Sequence, residues 1–516
     1  MHAPDNEAMH EPWAQEGLDK LGLVLCECAA HVETGSTEKA ANCLARAMGL
    51  AAVAGNGPLR RLTVPMADCL ARRILRPIPA LADALIDPSA CIDRRCVRSA
   101  RRRFFDLSPF PKVAFAVSNR AIIEAMDNEK NVHVIDFAGP AAQPRQWIEL
   151  LHDFNRRPEG PPQHLRLTVV HDDKDFLIKT SELLVDEADL LHMPLFQFHY
   201  VVGQLETLDF NDLHSILKLK SGEATALICT QQLHRLLATD DDSTSSSSSS
   251  SSSFFGSSSA RHSNNQMTTI ARLQQMASSS SNVACHDEDD DDEAYRSPAT
   301  PLSFVSPPAS TPPPLLHTPP AMASFLSAAR ALRPNVMVVT EQDASHNGVS
   351  FRKRFAEALQ HYAALYGSLD AAAYGRPAAA ELVAEVERAV VGEEIRGVLL
   401  SEGAQRRERH DRVQNWAARM EVAGFGNVPL SYEAVKNGNE MVRRCGVRGC
   451  ESREHGGCLF LCWSSWPLYS VSAWRPNRGE DSSPGIQYLS ASTVESDGDS
   501  GTKLVTSSCY PLDDTV

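Results

Sequence analysis

The chain has 516 residues, 43% hydrophobic and 22% charged, with a formal net charge of −15, a length that suits one large domain or roughly two or three ordinary ones. The charge is unevenly placed. Residues 240–300 carry a net −7 and residues 476–516 a net −5, which leaves −3 for the rest; the foldable part is close to neutral, and no broad positive field favours autonomous DNA binding.

In chain order, residues 1–14 read as a loose tail; residues 1–20 are polar and hold no apolar segment of a signal peptide. Residues 17–103 read as helices. Leu21, Leu25, Cys28, Ala29 and Val32 recur at helical spacing until Gly35. Ser36 can cap the next helix, whose stripe is Ala40, Leu44, Ala47, Met48 and Ala51. A third stretch runs through Leu62, Met66, Cys69, Leu70 and Ile74. The stripes bearing Leu21, Leu25, Leu44 and Met48 either pack within the chain or dock partner helices. Arg94, Arg95, Arg98, Arg101, Arg102 and Arg103 form a basic cluster. It reads as a nuclear-import or phosphate-contacting patch, or as the solvated face of a helix that Phe104 and Phe105 anchor.

From about residue 112 helical and β-rich runs alternate. A helix over 113–126 leads to Val132, His133, Val134, Ile135 and Asp136, a short buried strand ending in an acid. A second helix begins near Gln146 and Trp147. This is the opening of a doubly wound sheet, the layout that usually binds a nucleotide. The glycine-rich turn is missing: Phe-Ala-Gly-Pro-Ala-Ala-Gln-Pro follows Asp136, with Gly139 alone and two prolines. A nucleotide-type scaffold without its phosphate cradle points towards binding and away from catalysis. Next come a strand over 165–171 ending in His171-Asp172-Asp173, a helix over 176–191 and a β-rich run over 196–202. A leucine-bearing stretch to 219, a strand over 224–230 and a short helix over 231–237 complete this half. The alternation predicts an α/β fold with a mostly parallel sheet.

Nine consecutive serines, Ser245 to Ser253, then interrupt the pattern. An acidic run from Asp287 to Glu293 and a Ser/Thr/Pro-rich stretch to Pro320 follow. Such composition cannot bury enough apolar surface to offset chain entropy, so 240–323 is expected to be a disordered insertion. Order resumes with a strand over 336–342, a helix over 351–369 and a long helix over 402–423. Strands over 457–463 and 468–474, joined by Ser464-Ser465-Trp466-Pro467, close the domain; residues 476–516 read as a loose acidic tail.

Several residues carry a chemical reading. Asp136, Asp172 and Glu341 stand at the carboxyl ends of predicted strands, the edge where open α/β sheets bind ligands. An enzyme would use His133, Asp136 and Asp172 in a methyl-donor pocket; without the glycine turn, helix capping and loop orientation are favoured. Leu233, Leu236 and Leu237 form an LxxLL sequence that either docks in a partner's groove or, favoured, packs in the core. Cys445, Cys450, Cys458 and Cys462, with His455, lack the paired knuckle of a zinc site and read as buried free thiols. The thirteen cysteines follow no regular framework, which suits reduced thiols in a cytosolic or nuclear protein. Trp463, Trp466 and Trp474 are either core or interface anchors. No catalytic, cofactor-binding or metal-ligating residue is assigned, and no apolar run approaches a membrane span.

These segments, in this order, resemble the plant-specific GRAS family of transcriptional regulators, over about residues 18–475 apart from the insertion. The first leucine-rich region corresponds to 21–51, the VHIID motif to Val132 through Asp136, and the second leucine-rich region to 205–237. The PFYRE and RVER regions correspond to 335–369 and 393–410, the latter with Arg406, Arg407, Glu408 and Arg409. Ser472, Ala473 and Trp474 are the SAW motif. Two family spacings hold: Trp416 and Gly424 enclose seven residues, and Trp463 and Trp474 enclose ten. There are departures. Two extra residues sit between Asp136 and Gln146, Val169 stands where glycine is common, and Asp411 replaces a glutamate usually spaced from the arginine at Arg406. The serine-rich insertion is a further departure, and no DELLA-type N-terminal segment is seen. The resemblance implies a Rossmann-methyltransferase-like core under an N-terminal helical cap. It also implies a non-enzymatic nuclear co-regulator without cofactor. Its partners would be other GRAS proteins, DELLA-type members and a second copy of itself among them, and DNA-bound zinc-finger factors, so that DNA is reached indirectly. Gibberellin response and root development are the implied processes. The alternative is a methyltransferase-like enzyme or small-ligand binder on the α/β core.

Overall fold

The computed structural model describes residues 12–53, 55, 57–77, 94–239, 318–376 and 378–477. Most of the expected N-terminal tail, most of the insertion and nearly all of the acidic tail lie outside these residues.

Three helices begin the chain: α1 (Pro12–Glu33), α2 (Thr37–Val53) and α3 (Pro58–Leu75). Leu21, Leu25, Cys28 and Ala29 share one face of α1 and are buried with Ala40, Leu44 and Ala47 of α2. The small alanines let the two helices approach closely. The next helices among the described residues are α4 (Arg94–Leu107) and α5 (Pro109–Ala125).

The α/β part then runs β1 (Asn131–Asp136), α6 (Pro144–Asn155), β2 (His164–His171), α7 (Lys174–Leu190), β3 (Phe196–Val202) and β4 (Ala224–Thr230). After the insertion come α8 (Pro320–Ala331), β5 (Val336–Gln342), α9 (Phe351–Ala373), α10 (Ala379–Val386), α11 (Gly392–Leu399) and α12 (Val413–Val422). The chain closes with β6 (Phe425–Val428), α13 (Tyr432–Arg444), β7 (Cys450–His455), β8 (Cys458–Trp463) and β9 (Trp466–Pro476).

The sheet order is β3-β2-β1-β4-β5-β9-β8-β7, with β6 also on β9. The strands from β3 to β5 are parallel; β9 runs antiparallel to β5, and β8 and β7 continue as hairpins. The order reverses between β1 and β4, the switch point of a Rossmann-like sheet. β4 and β5 are buried along their whole length, which their continuous apolar runs anticipate. Two cores result. Val132 and Val134 pack in one with the cap; Ile135, Leu227 and Met337 pack in the other with Phe325, Trp416 and Trp474.

The cap is fastened to the layer after β5. Arg61 pairs with Glu387 at 3.0 Å. Arg73 donates to the carbonyl of Leu399 at 2.5 Å, pairs with Glu402, and lies 4.0 Å over the Phe351 ring.

Several elements differ from expectation. The helix predicted over 402–423 is α-helical only in α12; residues 403–405 form a 3-10 turn and 406–411 a non-helical segment. There the backbone carbonyls of Arg406 and His410 accept the Arg409 side chain and the His346 N–H in place of helical N–H groups. α8 begins at Pro320, inside the segment expected to run to 323, because Met322 and Phe325 enter the core. The β8–β9 turn is Ser464-Ser465, both at positive φ of 46° and 70°, the twist a two-residue hairpin needs; β9 therefore starts at Trp466. The sequence pattern left β7, α10, α11 and α13 unmarked. β7 is a largely exposed polar edge strand, and α13 buries only Ala434, Gly438 and Val442.

Candidate functional site

The carboxyl edge of the parallel strands is where the doubly wound layout would place a ligand. Asp136 ends β1 there and is fully buried. One carboxylate oxygen accepts the indole N–H of Trp147 at 2.7 Å and the other the backbone N–H of Ala138 at 2.6 Å. Burial pushes its pKa up to about 6, against the pull of both hydrogen bonds. Asp136 thus ties the strand end to its own loop and to α6. His133 points to the opposite face of the sheet, as alternation requires. Its Nε2 lies 2.7 Å from the Thr168 hydroxyl and its Nδ1 3.0 Å from the Arg166 guanidinium. Burial first, and Arg166 second, push His133 down to about 3, so the ring is neutral. Asp172 is partly exposed and accepts from the Gln204 amide at 2.9 Å. The three residues of the methyl-donor reading therefore do not converge.

Glu341, near the end of β5, does gather a site. Its Oε1 accepts the backbone N–H groups of Gln232 and Leu233 at 2.9 and 2.7 Å, and its Oε2 lies 2.8 Å from Nδ1 of His234. Nε2 of His234 lies 3.0 Å from Glu408. Burial alone would lower the His234 pKa, but the two flanking carboxylates raise it to about 10. Beside this triad, Glu394 accepts from Gln342 at 2.7 Å and from the Tyr362 hydroxyl at 2.8 Å. His361 donates to Gln342 at 2.9 Å, and the Nδ1 atoms of His346 and His410 meet at 3.0 Å. Burial pushes His346, His361 and His410 down, so these rings are neutral.

Little room is left among the described residues around this network. A cavity of about 50 Å³ lies between Arg101, Pro140, Gln143, Thr230, Gln342 and Tyr469, whereas small-molecule sites typically span about 300–1,000 Å³. Pro140 and Gln143 occupy the place of the missing glycine turn. A larger hollow of about 870 Å³ lies near the amino ends of β1 and β2, lined by mixed charges such as Arg120, Glu124, Asp153 and Arg156. Ligand atoms of His234, Glu408 and His410 lie within 4.8 Å of one another, a possible cation set in donor type. His234 already supplies a positive charge there, and Arg235 lies 3.8 Å from Glu408, so the carboxylates are balanced by the chain itself.

The segment 406–411 braces this network. Arg406 donates to the carbonyl of His346 at 2.9 Å, Arg409 to that of Gly403 at 3.0 Å, and the exposed Arg407 pairs with Glu206 at 3.0 Å. Asp411 pairs with the buried Arg419 at 2.7 Å, and its backbone carbonyl accepts the Trp416 indole at 3.0 Å.

A family model described as the GRAS domain family matches residues 21–475. The chain belongs to the GRAS family. It is 38% identical to Scarecrow-like protein 3 of Arabidopsis thaliana over 89% of either chain. GRAS family protein TF80 of Medicago truncatula is 33% identical, over 88% of this chain and 94% of that one. DELLA protein GAI1 of Vitis vinifera is 27% identical over 90% of this chain and 62% of its own length. The crystal structure of SCL7 in Oryza sativa superposes with a TM-score of 0.62 at 25% identity, covering 88% of this chain and 99% of that one. Membership makes the chain a plant regulator of transcription, in the class associated with gibberellin signalling.

The remaining GRAS motifs take these positions. In the first leucine-rich region Leu21, Leu25 and Leu44 are buried within the chain and Met48 is half-buried. In the second, Leu233, Leu236 and Leu237 lie on a 3-10 turn, all buried in the core that includes Trp474. In the SAW region Ser472 and Ala473 pair with Val339 and Val338 of β5, and the Trp474 indole donates to Ser472 at 2.9 Å. Gly424 follows α12 at φ +81° beside the Arg330 guanidinium, a backbone conformation that favours glycine. Trp463 lies on Gly367 of α9.

The described arginines of the α4 cluster are half-buried or exposed, and two of them pair with acids. Arg98 pairs with Asp173 and Arg103 with Glu385. Arg101 lies beside Glu408 and Glu394, while Arg102 is exposed. Phe105 is buried and stacks on Phe115 at 5.5 Å. The four C-terminal cysteines divide: Cys458 and Cys462 are buried on β8, whereas Cys445 and Cys450 are half-buried. Reading the sequence did not single out His346, His361 or Glu394. The carboxyl-edge rule that pointed to Glu341 was the available signal.

Proposed function

We propose that this GRAS protein acts in the nucleus as a non-enzymatic co-regulator of transcription. It pairs with other GRAS proteins, DELLA-type members among them and a second copy included, and with DNA-bound zinc-finger factors. DNA is reached indirectly, and the processes served are gibberellin response and root development. The observation that carries this reading is the filled carboxyl edge. Where a methyl donor would lie, the chain places a cavity of about 50 Å³ and polar groups bonded to one another.

The leucine stripes of the cap are buried against the chain's own helices, so pairing uses the cap's outer surface. Leu23, Val53 and Val64 are there 70%, 85% and 53% exposed. The domain spans 15–475, and the serine-rich and acidic insertion at 240–323 serves as a phosphorylatable or activating segment. The Ser472, Ala473 and Trp474 hairpin, the RVER segment and the edge around Glu341 hold the partner-binding surface in shape.

The test is a nuclear-extract pull-down with the full chain as bait, beside a Leu23→Glu/Val64→Glu variant. DELLA-type and zinc-finger regulators should be enriched, and pairing partners should fall at least tenfold with the variant while zinc-finger factors remain. Absence of transcription factors from both baits, together with saturable binding of S-adenosylmethionine, would replace the proposal with the enzyme reading.

A further inference from the structure

We infer that Cys445 and Cys450 form a dithiol that a hydroperoxide closes to a disulfide, a modification site at the base of the C-terminal hairpins. Cys445 caps the end of α13 and Cys450 opens β7. Between them Gly446 and Gly449 sit at φ +68° and +81°, which folds the short loop back and brings the two thiols side by side. The Cys445 thiol also lies 2.9 Å from the carbonyl of Val442. Both thiols are half-buried and within reach of a small oxidant, whereas Cys28, Cys43, Cys69, Cys229, Cys458 and Cys462 are buried. The strand register puts Cys462 opposite Glu451 and Cys458 opposite His455, so neither is Cys450's partner across the hairpin.

The surroundings divide the work between the two sulfurs. The neighbouring Cys450 thiol, the Val447 N–H and the Lys112 ammonium favour charge on the Cys445 sulfur, and burial opposes it. The Cys445 thiol is pushed down to about 6 and the Cys450 thiol is pushed up. A thiolate next to a protonated thiol is the arrangement of an attacking and a resolving cysteine.

The step balances. The Cys445 thiolate attacks one oxygen of hydrogen peroxide, the O–O bond breaks, and hydroxide leaves as Cys445 becomes a sulfenic acid. The Cys450 sulfur then attacks the Cys445 sulfur. The S–O bond breaks, the second oxygen leaves as hydroxide, and the two hydroxides are taken up as water with the protons of the dithiol. Two thiols are oxidised by two electrons and one peroxide is reduced to two waters. The new bond tightens the loop that holds Trp463, because the Gly449 carbonyl accepts the Ser464 N–H at 2.7 Å and the Trp463 indole donates to the Arg448 carbonyl at 3.3 Å.

The full-length protein can be titrated with hydrogen peroxide, alkylated and cut with trypsin. Cleavage after Arg444, Arg448 and Arg453 puts the two cysteines on separate peptides. The expected product is a dithiothreitol-sensitive link between the peptides 445–448 and 449–453. Cys450→Ser should unfold as the wild type does and stop at a dimedone-reactive sulfenic acid on Cys445. Alkylation of Cys445 in the wild type should rise with a midpoint below the value of about 8.5 for a free thiol. Peroxide that oxidises the exposed Cys96 while Cys445 and Cys450 stay unlinked would overturn the inference. So would a Cys450→Ser variant whose Cys445 yields no sulfenic acid.

Discussion

The Glu341 carboxylate lies 2.8 Å from Nδ1 of His234, across 107 residues of sequence. On the other side of the ring Glu408 lies 3.0 Å from Nε2. One imidazolium therefore joins the second leucine-rich region, the end of β5 and the RVER segment. It holds together three motifs that the chain order keeps far apart.

Protonation of His234 should be visible in stability. Folding raises its pKa to about 10, from about 6.5 in an unfolded chain. The contribution is full below the unfolded value and is lost as pH rises through the folded one. Urea stability of the wild type should thus fall between about pH 6.5 and 10. His234→Gln leaves two buried carboxylates without their cation, at a cost of about 3–5 kcal/mol near pH 7, and should flatten that slope. Parallel declines in wild type and variant would show that another group carries it.

Asp136 gives the opposite sign. Its folded pKa of about 6 exceeds the unfolded value of about 3.9, so the folded state holds the proton more tightly. Stability from this group declines as pH rises from about 4 to 6 and stays reduced above that. Trp147→Phe removes the 2.7 Å donor and should cost about 1–3 kcal/mol, more at pH 7 than at pH 4.5. Thermal melts at both pH values test this; an equal loss at each would mean that the indole's role is packing alone.

Gly367 admits the Trp463 ring because it has no Cβ: an added methyl would meet the indole at 2.3 Å. Gly367→Ala should destabilise by about 1–3 kcal/mol through overpacking and red-shift the tryptophan emission. Adding Trp463→Leu should restore part of the loss. If the double variant is no better than the single one, the clash lies elsewhere.

The buried LxxLL leucines and the exposed cap residues should behave differently. Leu236→Ala opens a cavity in the core and should cost about 2–5 kcal/mol, with partner binding reduced only as far as folding is. Leu23→Glu should change stability by less than about 0.5 kcal/mol while weakening GRAS pairing. Chemical denaturation paired with co-precipitation separates them. Selective partner loss at Leu236 without loss of stability would reverse the assignment.

Much of the fold was legible from the chain. β1, β2, β4 and β5 are apolar runs bounded by turns, and α1 to α3 carry apolar stripes at helical spacing. The order of these segments, with the closing Ser472-Ala473-Trp474, was enough for the family. Two local errors had a physical cause. Residues 402–412 resemble a charged helix, yet the carbonyls of Arg406 and His410 are taken by the Arg409 side chain and the His346 N–H. β7 is polar and takes its form from pairing with β8, not from its own pattern.

The site was legible only at single residues. Alternation along β1 implies that His133 and Asp136 face opposite ways, and the rule of the carboxyl edge pointed to Glu341. The sequence by itself determined the strand and helix periods, the absent glycine cradle and the family's ordered motifs, because these are local patterns. Only the tertiary structure decided that His234 meets Glu408 across 174 residues, that the leucine stripes are spent on the chain's own core, and that Cys445 faces Cys450 while Cys458 and Cys462 do not take part. Such meetings depend on how the sheet and its helices stack, and a separation of that length leaves no periodic trace in the chain.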